Sequence, residues 1–312
     1  MRWICCLSAF AAALPALAAP FAYVTNQGSN DVSVVDVGER KVVRTIPVGK
    51  APAGIAVSAP AGLAFVSNPG DNTVSAIDLA RRAPIATLAA GQGAVGLAVA
   101  PDGRTFYVAD WYGGRLLAFD AATRSPRGSV AVGRAPAGIA VSPDGREVYV
   151  ANRDDNELME IDAATLQLRA RIAVGEHPFA VGVTPDGRRL LALNVLGNDV
   201  TVIDRATRRP LATLPVGRAP YGVAFSRDSA LAYVTNQHEQ SVSVLDLAAL
   251  RVKATWKTGE YPEGIALAGE TLIVVSWMDD AVNLLDVQTG KLLATIDVGR
   301  NPRAFGEMLA PE

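Results

Sequence analysis

One short phrase returns seven times along this chain, at a period too long for secondary structure and too short for a domain. "YVTNQGSNDVSVVD" at 23–36 comes back as "YVTNQHEQSVSVLD" at 233–246. The aspartates that close it, Asp36, Asp78, Asp120, Asp162, Asp204, Asp246 and Asp286, follow one another at 42 residues five times and then at 40. Ten residues before each stands Asn26, Asn68, Asp110, Asn152, Asn194, Asn236 or Ser276, and a glycine follows each unit, from Gly49 to Gly299. A period of this size marks an array in which every unit is one supersecondary block.

Inside a unit the apolar period is two. "GIAVS", "YVAN", "VTVID" and "ATLPV" are short, β-branched runs separated by turn residues, which gives four strands per unit. "SPDGR" at 142–146, with its copies at 100–104 and 184–188, places Pro where φ near −65° is wanted and Gly where φ turns positive. Seven four-stranded antiparallel units bury both faces of every sheet by standing around an axis, as a seven-bladed β-propeller. An open solenoid is the rival, and it usually needs atypical capping repeats. The "GIAV" strand is read as the innermost, with small residues such as Gly54, Gly96 and Gly138 where the blades crowd. After the leader the chain begins with a second strand, "FAYVTN", so "PRAFGEML" at 302–309 is expected to complete blade one beside residues 21–26. In that alignment Glu307 falls in the slot of Val57, Val99, Val141, Val183, Phe225 and Leu267. Either the strand ends at Gly306 or Glu307 meets a cation, since an unpaired buried carboxylate is costly.

Residues 1–18 read as a secretory signal: Arg2, an apolar stretch from Trp3 to Leu14, then the small-residue site Ala16-Leu17-Ala18. A retained anchor is the alternative. The expected organisation is a leader at 1–18 and one propeller domain at 19–312, in the periplasm or secreted. No later stretch reaches the roughly 20 apolar residues of a membrane span. The only cysteines, Cys5 and Cys6, lie in the leader, so the mature chain has no disulfide, thiolate metal site or covalently attached c-type haem. A net charge of −2 with mixed signs argues against nucleic acid as a partner.

In a seven-fold array, what all units share serves the unit, and function is sought where they differ. The recurrent Asp is read as the acceptor of an Asx turn. The pairs Asn26/Asn30, Asn68/Asn72, Asn152/Asn156 and Asn194/Asn198 are read as ties of the loop between second and third strands. Trp256 is read as a packing residue. In an antiparallel meander the 2-3 loops and the links between blades share one end, and that end varies most. Its links carry Lys50, Gln92, Arg134, Glu176, Arg218, Glu260 and Arg300 at one equivalent position. Around them stand His177, Phe179, Tyr221, Tyr261, Glu263 and Arg303. The 2-3 loops add Trp111, Tyr112, Arg115, Arg153, Asp154, His238, Glu239, Trp277, Met278, Asp279 and Asp280.

From this end the candidate ligand-binding residues are His177, Tyr221, Glu260, Tyr261, His238, Trp111, Trp277, Arg134, Arg218 and Arg303. Amphipathic rings and mixed charge suit a small polar molecule or a peptide. The bland reading is that loops collect such residues anyway. His177 and His238 are the chain's two histidines and could approach each other with Glu176 or Glu239. Two histidines without local spacing are a weak metal signal. No nucleophile elbow, phosphate-cradling loop or zincin helix is present.

"YVTN" at 23–26 and 233–236, "YVAN" at 149–152 and "YVAD" at 107–110, with "VGxxPxG" and "SPDG", resemble the YVTN-type β-propeller repeats of exported bacterial and archaeal surface-layer proteins. The resemblance covers the whole mature chain, the last unit departing furthest with "IVVS" at 273–276. It implies seven blades and no single activity: such propellers include binding and surface proteins, and relatives are associated with quinone-cofactor oxidation or bind DNA. Two functions are therefore expected to compete. One is a non-enzymatic exported binding or scaffold protein; the other is an enzyme or cofactor-handling accessory using His177, His238, Glu260 and Arg303 at the same mouth. Neither the ligand nor any cofactor is named by the sequence.

Overall fold

The computed structural model describes residues 20–310, so the signal read at 1–18 lies outside the described residues. Their regular structure is almost entirely strand, in seven sheets, each built on four antiparallel strands; one 3-10 turn, Arg153–Asp155, interrupts the pattern. Blade four shows the plan, with Pro136–Val141 innermost, then Glu147–Asn152, Glu157–Asp162 and Leu168–Ala173 outermost. This is the seven-bladed propeller that the repeat calls for.

Burial follows the position of the strand in the blade. Second and third strands are covered on both faces by neighbouring blades, and Val24, Val32, Val34 and Val35 are completely buried. The outermost strand alternates and keeps a bare edge, which carries Lys41 and Arg44 in blade one, Arg209 and Pro210 in blade five, and Arg251 and Lys253 in blade six. Charge and proline at an edge oppose pairing with a second chain. At the axis the inner strands approach so closely that a Cβ on Gly96 would stand 1.9 Å from the Ala137 carbonyl oxygen of the next blade. That is the crowding expected of the "GIAV" strands.

The repeated polar residues hold the frame. In every blade the recurrent Asp accepts a hydrogen bond from a backbone N–H two or three residues on, as Asp36 does from Glu39 at 2.8 Å and Asp204 from Thr207 at 2.8 Å. At Asp162 the Thr165 N–H and the Arg169 guanidinium hold the carboxyl down at about 2. The asparagine readings also hold. Asn26 donates to Asp31 and Ser33 across its hairpin, while Asn30 accepts from the Ala51 N–H of the following link at 2.8 Å. In the "SPDG" turn, Gly145 takes φ +72° and donates to the Ser142 carbonyl at 2.8 Å. Trp256 packs in the blade six core, stacked on Tyr233 at 5.9 Å.

The C-terminal segment completes blade one with one correction to the expected alignment. Pro302 bridges Asn26, Tyr23 N–H donates to the Met308 carbonyl, and Leu309–Ala310 pair with Ala22 and Phe21. Between these anchors, Phe305–Glu307 leaves blade one and runs parallel to Gly54–Ala56 of blade two. The slot opposite the second residue of the next strand, held by Val141 opposite Val148 and by Val57 opposite Ala64, is therefore filled by Leu309 opposite Ala22. Glu307 does not occupy it. Gly306 permits the detour: its φ is +117°, and a Cβ there would meet the Ile55 carbonyl oxygen at 2.4 Å.

Candidate functional site

The links and 2-3 loops do share one end, because each link is stapled to the loop it adjoins. Lys50 N–H donates to Asp71, Arg134 N–H to Asp155, Arg218 N–H to Glu239, Glu260 N–H to Asp279, and Asn301 N–H to Asp280. Glu239, Asp279 and Asp280, read as candidates for the binding face, thus have structural work. All seven residues of the link ring are exposed. Its arginines fold back on the loops: Arg134 donates to the Asp154 carbonyl and Asp155, Arg218 to the His238 carbonyl at 2.7 Å, and Arg300 to the Gly28 carbonyl.

The axis is lined by a different position, the residue after the link proline, or after Ala94 in the link that lacks one. From blade two round to blade one it is Ala53, Val95, Ala137, Phe179, Tyr221, Glu263 and Arg303. Four large members fill the centre that three small ones leave. Phe179 stacks on Tyr221 at 4.4 Å, and Phe305, carried across by the detour, packs on both at 5.1 and 5.6 Å. Trp111 lies 6.2 Å from Phe179 with the Arg153 guanidinium 5.7 Å from its ring. Glu263 is 2% exposed, and both its oxygens are engaged: Oε1 accepts from Gln237 at 2.8 Å, Oε2 from Arg303 at 2.6 Å. Arg303 also donates to the Tyr221 hydroxyl.

Electrostatics here follow from burial and pairing. Burial pushes the Glu263 carboxyl up, and Arg303 opposes the shift. Burial also works against the Arg303 charge, but Glu263 and Tyr221 outweigh it and hold the guanidinium above its ordinary value. The Tyr221 hydroxyl is pushed up by burial. A carboxylate with both oxygens bonded and a guanidinium locked to it form a plug rather than a free base or metal ligand. Tyr221 and Arg303, both candidates from the sequence, are therefore parts of that plug.

Outside it, blades six and seven raise a ledge of accessible rings. His238 Nε2 lies 3.1 Å from the Tyr261 hydroxyl, the two rings are 5.2 Å apart, and Tyr261 lies 5.5 Å from Trp277. Trp277 Nε1 donates to Gln27 at 3.2 Å. Tyr261 holds φ +56°, in the left-handed region that all seven residues at this link position adopt. Beside the ledge is a pocket of about 360 Å³ lined by Arg218, Gln237, His238, Gln240, Glu260, Tyr261 and Met278.

The candidates are thus brought together in part. His238, Tyr261, Trp277, Arg218 and Glu260 gather on blades six and seven, Tyr221 and Arg303 sit in the plug, and Trp111 flanks it. Arg134 is tied to its own loop. His177 is bound through its backbone to Asn156, and its Nδ1 is buried without a partner, whereas His238 is engaged with Tyr261. Among the described residues no group of three or more His, Cys, Asp or Glu is placed to hold a metal. Gln237, Gln27 and Phe305 were not singled out from sequence. Alignment of the repeats on the 2-3 loops finds the two glutamines at the positions of Trp111 and Trp277.

Comparison with known proteins agrees on architecture. A family model described as "Lactonase, 7-bladed beta-propeller" matches residues 105–214, within blades three to five. No curated protein matches the chain. Among solved structures, hydrazine synthase of Kuenenia stuttgartiensis is similar with a TM-score of 0.76 at 20% identity, covering 90% of this chain and 98% of that one. A functionally unknown protein from Desulfotomaculum acetoxidans is similar with a TM-score of 0.78 at 15% identity, covering 92% and 99%. Dihydro-heme d1 dehydrogenase NirN, in complex with DHE, has a TM-score of 0.68 at 21% identity, covering 90% of this chain and 64% of NirN. At these identities the likeness is one of fold.

Proposed function

We propose that this is an exported, periplasmic binding protein that captures a small polar molecule or a peptide on the face formed by the 2-3 loops and links. The ledge carries this reading. His238, Tyr261 and Trp277 present rings with polar edges beside a pocket flanked by Arg218 and Glu260, on the end where the blades differ. Rings of this kind give contact area at low entropic cost, and the charges fix orientation. The leader at 1–18 supports export, and among the described residues no helix is long and apolar enough to cross a membrane. Native mass spectrometry of protein recovered from the periplasm tests the reading. A retained small molecule or peptide, lost in Tyr261→Ala with the fold intact, is expected; the same adduct in the variant overturns the site.

A second reading, an enzyme or cofactor-handling accessory, is supported by the His238–Tyr261 pair, which can pass a proton between ring nitrogen and hydroxyl. The matched family's description and NirN, which its structure holds with DHE, name lactone substrates and a haem derivative as the first compounds to try. Turnover or uptake abolished by His238→Ala favours this reading over simple capture.

A further inference from the structure

At the other end of the axis the inner strands enclose a second space. It measures about 510 Å³ and is lined by the inner strands of blades two to seven with the C-terminal detour, reaching the exposed turn residues Pro60, Pro101, Pro143 and Pro185. Phe305 bounds it and also packs on Phe179 and Tyr221, so the plug and this lumen meet at one ring. The walls are apolar: Val99, Ile139, Val141, Val183, Phe225 and Leu267 are typical. Glu307 is the one titratable residue among them. The Gly306 detour carries it there beside Gly54–Ala56, and its carboxylate has no hydrogen-bond or ion-pair partner among the described residues. Glu307 is exposed to solvent, yet protein surrounds it because it faces the lumen. Burial alone pushes its carboxyl up.

We propose that the lumen binds a small organic ammonium, with its apolar body among the inner strands and its charge on Glu307. The volume suits one small ligand, and apolar walls with a single oriented charge are the usual chemistry of such a site. An ammonium supplies the partner the carboxylate lacks, where an unpaired charge in apolar surroundings is costly. Phe225 and Phe305 line the same space, and aromatic rings favour a nearby cation. Among side chains this wall offers only one carboxylate and the Ser58 hydroxyl, fewer charged oxygens than calcium or magnesium usually takes.

Isothermal titration calorimetry with benzyltrimethylammonium, against benzyl alcohol as the neutral control, tests the site independently of the mouth. The cation is expected to bind the wild-type chain one-to-one, to weaken about tenfold or more in Glu307→Gln, and to bind Tyr261→Ala unchanged. Benzyl alcohol is expected to bind wild type and Glu307→Gln alike. No binding by the wild type at millimolar cation, undiminished binding by Glu307→Gln, or loss in Tyr261→Ala overturns the proposal. Methyl NMR on the unmodified sequence gives a reading free of folding effects: Ile139, Val141 and Leu309 shift on titration and the outer-edge Leu211 does not. Shifts confined to other residues also overturn it.

Discussion

Two acids stand at the axis of this propeller, Glu263 toward the loop end and Glu307 toward the turn end, and burial pushes both carboxyls up. Glu263 has a guanidinium and an amide on its two oxygens and closes the channel as part of a hydrogen-bonded plug. Glu307 has neither, and the space in front of it is open. The same residue type thus builds a wall at one end, where it is buried, and leaves a socket at the other, where it is open to the lumen. Burial raises the stakes of a charge; partners decide whether it is structure or site.

The sharpest way to break the comparison is to remove the segment that both ends share. Deleting residues 301–312 takes away Arg303, Phe305, Glu307 and the pairing of Leu309–Ala310 with Phe21–Ala22. It is expected to abolish cooperative thermal unfolding, followed by circular dichroism; an unchanged transition refutes closure by this strand. Next in size is Gly306→Ala, which forces a side chain onto φ +117° and against the Ile55 carbonyl. A loss of about 1–3 kcal/mol in urea unfolding is expected, whereas a neutral result means the detour does not need glycine. Smaller still is Tyr261→Ala on the ledge. It is expected to cost under about 1 kcal/mol of stability while removing the adduct seen by native mass spectrometry.

The smallest effect is a pH dependence on the frame. The recurrent Asp162 sits at about 2 in the fold, below its ordinary 3.8. Its contribution is present above the ordinary value and lost as pH falls toward 2. Asp162→Asn should flatten that acid limb of a melting-temperature profile. Glu307 has the opposite sign: with a native value raised above 4.5, the folded state holds its proton longer, so its contribution falls as pH rises from there.

The frame was readable in the chain because each repeated residue acts within its own unit. Asp204 finds its partner three residues on, and Asn26 five and seven residues on, so spacing alone announces them. The end carrying the ledge was readable too, from strand counting. Its wiring was not, since Tyr221 meets Arg303 across 82 residues and Trp277 meets Gln27 across 250. Glu307 was the hardest. Alignment put it in the slot of Val57 and Val141, whose residues also line the lumen, but the structure reaches the lumen by another path, the parallel run of Phe305–Glu307 beside Gly54–Ala56. The substitution of Gly306-Glu307 for an Ala-Val pair was the visible trace.

Urea unfolding of Arg303→Met and Glu307→Gln, measured side by side at neutral pH, tests the central contrast most directly. Arg303→Met strands the Glu263 carboxylate and is expected to lose about 3 kcal/mol or more. Glu307→Gln removes a charge that has no partner and is expected to gain on the order of 1 kcal/mol, a figure already reduced for water in the lumen. Opposite signs uphold the account, and a Glu307→Gln variant destabilised as much as Arg303→Met contradicts it.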